Sequence, residues 1–416
     1  METRRGAVLL FSLAFLTSTL VACGDFPQPK ASVSGPSLSP LVSPTTSTPT
    51  PIASPTTTTL PPKVATFLAQ SDSFVTGDDG FVLGVVGCPV GTCFALDRTV
   101  DRGLSWTSLH APTIAPQSNG LGAPSLHFAD PLNGWFYGDG LWVTHDGGER
   151  WMELHLPGSV VTMASRAGEV YALVDLCPGS RCSNGGYLYR SPAGHDAWTE
   201  VAGPLGNFAN GPDRYALVVE SNAVFVMSAT PSPQLLSSLN GVDFTALSIP
   251  CATGSADGGP YLPAAVAASD PSDLSMVCQG LSGTGNEFKE AFISHDGGRV
   301  FARLPDPSMG GDSVQLAMPS PTTLLLSSSS AATSITRITA PDIAWDASFG
   351  FADQGLGIAD FAFVDPSQGA FVHVPATIAL GVWGLPSTAE SSPGDLYLSD
   401  NDGSTWVETN PPLPSD

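Results

Sequence analysis

From about residue 64 onward, apolar residues recur in short runs, often alternating with polar ones, and each run stops at a cluster of Gly, Asp, Asn, Ser or Pro. Runs of that length and period predict β-strands joined by turns rather than helices. The stretch from Ser125 to Leu156 shows the unit most plainly. Ser125 to Ala129 reads as an inner strand, Asp130 to Gly134 as a turn, Trp135 to Gly138 as a second strand, Asp139-Gly140 as a tight hairpin, and Leu141 to His145 as a third strand. An outer strand follows from Trp151 to Leu156. The same order returns at Phe361 to Val364, a turn at Asp365-Pro366-Ser367-Gln368-Gly369, and Ala370 to Val374. Partial copies read as Glu169 to Leu176 with Gly186 to Arg190 and an outer strand from Trp198, and as Tyr215 to Val219 with Ala223 to Ser228. Two more are Leu262 to Ala268 with Leu274 to Gln279 and Phe288 to Ser294, and Ser313 to Ala317 with Thr322 to Ser327 and Ser334 to Ile338.

Each unit closes on an aromatic residue, at a spacing of about fifty residues, the period of a repeat architecture. Four closing motifs are clear: Thr99-x-Asp101-x-Gly103-x-Ser105-Trp106, Thr144-x-Asp146-Gly147-Gly148-x-x-Trp151, Ser294-x-Asp296-Gly297-Gly298-x-x-Phe301 and Ser399-x-Asn401-x-Gly403-x-Thr405-Trp406. Weaker echoes end at Trp198, Phe244 and Trp345, which brings the total to seven. An all-β, seven-bladed β-propeller of four-stranded antiparallel blades, spanning residues 64–416, accounts for the pattern. The motif itself is scaffold. Its Asp accepts backbone N–H groups of its own turn, its Ser or Thr hydroxyl adds a local bond, and its aromatic ring should pack between neighbouring blades.

These motifs resemble the Asp-box, or bacterial neuraminidase repeat, of sialidases, sortilin-type propellers and some glycoside hydrolases. Phe128-x-Asp130-x-x-x-Gly134-Trp135 ahead of Asp146-Gly147-Gly148 also resembles the propellers of photosystem II assembly factors. The resemblance covers the whole domain and implies the fold far more than an activity.

The N-terminus carries different information. Arg4 and Arg5 precede an apolar run from Ala7 to Leu20, too short and wrongly flanked to span a membrane, so residues 1–22 read as an export signal. Thr3-Arg4-Arg5 leaves Sec and twin-arginine export both open. Leu20-Val21-Ala22-Cys23 resembles a bacterial lipobox, which implies cleavage before Cys23 and a diacylglycerol on its sulfur. Residues 23–63 are rich in Pro, Ser and Thr with little to bury, so a disordered tether is expected there.

Charge and cysteines narrow the partners. With a net charge of −23 and three Lys, the chain lacks the clustered basic residues that nucleic acid requires. A membrane would hold it through the lipid on Cys23, on the outer face of the cell membrane, and the domain is expected to be a monomer. Besides Cys23 there are six Cys, an even number in an exported chain. Cys88 and Cys93 share the spacing of Cys177 and Cys182, so each pair should clip its own loop, which leaves Cys251 with Cys278.

Strand alternation puts the Asp-containing turns on one face together with the turns between first and second strands. The opposite face collects the longer loops and both short Cys clips, and binding residues are expected there. A non-catalytic module that binds protein or glycan, or supports envelope assembly, is the expected function. The alternative is a glycoside hydrolase using loop carboxylates, for which Asp257, Glu287, Asp353 and Glu390 are candidates. A sialidase proper is disfavoured. Its Arg-Ile/Leu-Pro tripeptide should precede the first motif, whereas Arg303-Leu304-Pro305 follows the fifth, and Arg98 is the only Arg between Val64 and Thr99. No catalytic residue, cofactor or metal site is assigned. His145 and His295 occupy the free position of their motifs in different blades, and Asp400-Asn401-Asp402-Gly403 lacks the distal Glu of a calcium loop.

Overall fold

The computed structural model describes residues 67–412 except 89–91, 114–123, 139, 177–184, 206–214, 230–232, 252–260, 281–287, 308, 312, 330–332, 341–343, 352–356 and 375–393. Within these residues lie 28 strands, numbered β1 to β28 in chain order, four to a blade. Blade one is β1 (Leu68–Phe74), β2 (Gly80–Gly87), β3 (Thr92–Thr99) and β4 (Thr107–Leu109), paired in that order. The innermost strands of the other blades are β5 (Ser125–Phe128), β9 (Ser159–Arg166), β13 (Tyr215–Glu220), β17 (Tyr261–Ala268), β21 (Ser313–Ser320) and β25 (Ile358–Phe363). All pairings are antiparallel between consecutive strands, so the protein is a seven-bladed β-propeller.

Among the described residues the core divides into seven hydrophobic clusters, and each joins one blade to its neighbour around one motif aromatic. Trp106, Trp151, Trp198, Phe244, Phe301, Trp345 and Trp406 each pack in a different one. Even Trp345, whose surrounding motif has decayed, keeps the role: its indole N–H donates to the Pro305 carbonyl at 2.7 Å, as that of Trp151 does to His110 at 2.7 Å. The turns behave as their chemistry requires. Gly103 N–H donates to Thr99 Oγ1 at 2.7 Å and Ser105 N–H to Asp101 Oδ1 at 2.8 Å. Thr144 with Asp146 and Ser294 with Asp296 hold their turns in the same way, and Asn401 replaces the Asp without loss of the bond from Thr405 N–H. Bonds from Ser105 keep the Asp101 carboxyl below its usual range. Gly403 has φ 74°, and a Cβ there would stand 2.2 Å from Leu325 Cδ2, so a side chain at this turn meets both an unfavourable backbone and a clash.

Two features differ from the sequence expectation. The innermost strand of blade three is β9, so the segment from Glu169 is the second strand of that blade. Alternation in β9 is blurred by Thr162, Ser165 and Arg166, polar residues that face a central cavity. Outer strands are also shorter than read: the segment from Trp151 forms a strand only at Met152–Glu153.

Among the described residues no strand is exchanged between the first and last blades. The ring closes by contact of β1 with blade seven, where Ala69 N–H donates to the Gly394 carbonyl at 2.8 Å and Phe67, Leu68 and Val82 pack with Val372 and Leu396. Two side chains complete this seam. Ser71 Oγ donates to Asp360 Oδ2 at 2.5 Å, and Asp72 N–H donates to the same oxygen at 3.0 Å. Asp360 adopts a left-handed backbone, φ 52°, a conformation that Asp and Asn tolerate better than most residues.

Candidate functional site

At the centre of the ring lies a cavity of about 550 Å³, bounded by the innermost strands of blades one, two, three, four and seven. Gly77, Ala167 and Gln368, from turns that follow the first strands, line its mouth, so it opens on the face of the Asp-containing turns. Sequence reasoning favoured the other face. The residues it named there, Asp257, Glu287, Asp353 and Glu390, lie outside the described residues, as do Cys177, Cys182, Cys23 and the tether.

The strands bring into the cavity groups that are far apart in sequence. Asp72 on β1 and Asp360 on β25 stand side by side across the seam. Burial pushes the Asp72 carboxyl well above its usual range, and the neighbouring Asp360 adds to the effect. Burial also lifts Asp360 to about 6, against the opposing hydrogen bonds from Ser71 and Asp72 N–H. Asp72 Oδ1 has no hydrogen-bond partner, and among the described residues no Lys, Arg or His reaches ion-pair distance of either carboxyl. Tyr137 also lines the cavity, its hydroxyl made less acidic by burial and by the charge of Asp360, against hydrogen bonds with the Met163 backbone, Ser125 and Thr162.

A second polar group sits farther round the ring. Glu220, at the end of β13, is lifted to about 7 by burial, while Arg166, 3.4 Å away, works in the opposite direction. On the wall between the two groups, His127 and Ser165 share a hydrogen bond of 2.8 Å, and burial presses the imidazole down to about 4, so it is neutral at physiological pH. Phe74, Phe128 and Phe363 add apolar surface. The cavity therefore offers carboxyl acceptors, a hydroxyl, a neutral imidazole and aromatic faces within a volume typical of small-molecule sites.

The other residues singled out in the sequence have structural employment. Cys88 is bonded to Cys93, and Cys251 to Cys278. His145 bonds Asn133 at 2.6 Å and Asp196 at 3.3 Å, His295 bonds Asp273, and no cluster able to hold a metal occurs among the described residues. Arg98 forms a paired contact with Asp79 at 2.9 and 2.7 Å, and Arg303 is spent on Asp306 and Glu290.

No family model matches the chain, and no curated protein is significantly similar to it. Among solved structures it is similar to an ancestral GH74 enzyme, with 13% identity over 83% of this chain and 46% of that one and a TM-score of 0.50. It is also similar to a structure from a study of two prolyl endopeptidases, with 13% identity over 84% and 51% and a TM-score of 0.52. The GH93 α-L-arabinofuranosidase of Fusarium graminearum gives 14% identity over 82% and 93%, with a TM-score of 0.40. The chain spans about half the length of the first two, and at such identities the likeness shows the fold alone.

Proposed function

We propose that this chain is an exported propeller, held at the outer face of the cell membrane by a lipid on Cys23, that binds a glycan in the central cavity without cleaving it. A fold shared with both a GH74 enzyme and a prolyl endopeptidase does not choose between saccharide and peptide. The carrying observation is the wall of the cavity, where Asp72 Oδ1 lacks a partner and Glu220 and Asp360 also front the space. Saccharide hydroxyls would donate to these oxygens while the C–H faces of the ring packed on Phe74, Phe128 and Phe363. Asp360 is already held by Ser71 and the Asp72 backbone, which suits a rigid acceptor better than a moving acid or nucleophile. Titration of the full chain with a panel of soluble glycans should give saturable binding that weakens at least tenfold in Asp72→Asn. No binding across the panel would sink the proposal. Metabolic labelling with a fatty acid, lost in Cys23→Ser, tests the anchor, and label that persisted in the variant would remove it.

Hydrolysis is the alternative, and Glu220 favours it. A carboxyl lifted to about 7 can remain protonated near neutrality, as a general acid must. Cleavage of any glycan by the wild type, lost in Glu220→Gln, would establish this alternative. Cleavage unchanged in both Glu220→Gln and Asp360→Asn would place the chemistry elsewhere.

A further inference from the structure

The seam carboxyls ask for a partner of definite charge. Asp72 is 6% exposed and lines the cavity, with its Oδ1 unpartnered, yet it adjoins a second carboxyl instead of a cation. Glu220, on the same wall, has Arg166 at 3.4 Å. Of the two arginines that line the cavity, Arg166 is paired with Glu220 and Arg102 with Asp78 at 3.4 Å. Neither seam carboxyl thus has a cation beside it among the described residues, and a cation entering from outside would draw the pair into its charged form.

We infer that the cavity recognises a saccharide bearing a free primary ammonium, an amino sugar in preference to its N-acetyl form, with the nitrogen seated between Asp72 and Asp360. The inference rests on glycan binding in this cavity. An ammonium brings three donors, which the oxygens of two carboxyls can meet. A hard divalent cation needs about six to eight oxygens, whereas Leu126 and Met163 on the adjacent wall supply none from their side chains, and no group of three metal-ligating side chains occurs among the described residues. The body of the sugar would extend toward Glu220 and Arg166, where hydroxyls find both an acceptor and a donor. N-acetylation removes the charge, leaves a single N–H and adds bulk at that nitrogen, so the acetylated sugar should bind more weakly.

Calorimetric titration of the full chain at pH 6.5, where the amine is charged, would compare glucosamine oligomers, their N-acetylated counterparts and calcium chloride. The expected result is binding of the free amine at least tenfold tighter than of the N-acetyl form, with the difference reduced below threefold in Asp72→Asn. Competition by methylammonium chloride, but not by sodium chloride at equal concentration, gives the same answer on the wild type alone, independent of how the variant folds. Equal binding of both sugars would overturn the amine inference and leave glycan binding standing. Binding of neither sugar would end both. A preference that survived unchanged in a folded Asp72→Asn, or calcium binding lost in that variant, would overturn the assignment of the carboxyl pair to an ammonium.

Discussion

Replacing Asp360 by Asn should make the propeller more stable at neutral and alkaline pH and leave it nearly unchanged in acid. In the folded chain this carboxyl titrates near 6, above its ordinary 3.8. A group raised in that way gives stability that is fully present below the unfolded pKa and lost as pH rises through the folded one. At about 1.4 kcal/mol per pH unit, the ionised side chain costs up to about 3 kcal/mol above pH 7. Because Asp360 borders an open cavity, screening by water brings the figure nearer ~2 kcal/mol. The amide should keep the geometry. Its oxygen can accept from Ser71 and Asp72 N–H, its nitrogen can donate to the unpartnered Asp72 Oδ1, and the left-handed backbone at this position suits Asn. Urea unfolding of both proteins from pH 4 to pH 8, followed by tryptophan fluorescence, reads the difference directly. His127 and Glu220 also titrate but are common to both chains and largely cancel, while Asp72, raised by burial and further by the charge of Asp360, is relieved of the second effect in the variant, which acts in the same direction. The stability difference should climb from about zero at pH 4 to about 2 kcal/mol by pH 8. A difference that stayed flat with pH, or a variant weakened more at pH 8 than at pH 4, would refute the account of the seam.

Other perturbations test the scaffold. Trp406→Ala removes a ring 4.8 Å from Phe371 and an indole bond to Ser348, and should cost about 3–5 kcal/mol in denaturant unfolding. Gly403→Ala should cost more than about 1 kcal/mol, because it combines positive φ with a clash against Leu325, whereas Gly168→Ala, with open space around it, should incur only the conformational part. Substituting Cys251 and Cys278 together by Ser opens a link between residues 27 apart and should lower stability by about 3 kcal/mol. The Cys88–Cys93 link closes only five residues, and the same change there should cost about 2 kcal/mol.

Architecture was legible because each blade writes its own signature. The Asp-containing turns are local, their bonds span four residues or fewer, and the aromatic that follows always meets the preceding blade, so sequence spacing and structural spacing coincide. Even Asn401 could be read as an Asp substitute, and it forms the same bonds. The cavity was not legible. Asp72, His127, Glu220 and Asp360 come from four blades and converge only when the ring closes. Each sits on an innermost strand where polar residues among apolar ones look like an imperfect strand, as Gln70 to Ser73 do in β1 and Ser125 and His127 in β5. Thr162, Ser165 and Arg166 went further and hid β9 altogether, because residues turned to the cavity broke the alternation that announces a strand. The loops of the other face, where binding residues are expected from the sequence, lie largely outside the described residues.

The seam has a topological consequence. Six of the seven blade junctions are spanned by polypeptide, and the seventh is held by non-covalent contacts, among them the bonds of Ser71 and Asp72 to Asp360, of Ala69 to Gly394 and of Thr409 to Gly103, with their apolar neighbours. Blade one starts on its innermost strand and blade seven ends on its outermost, the same order in which every blade hands over to the next. Glu408, at the end of β28, therefore stands to Leu68, at the start of β1, as the end of each blade stands to the start of the next. Joining them and cutting the chain between blades six and seven would give a circular permutant with the same ring. In that molecule Asp72 and Asp360 would belong to a covalently bridged junction, and their contribution to holding the ring shut could be measured apart from their place in the cavity.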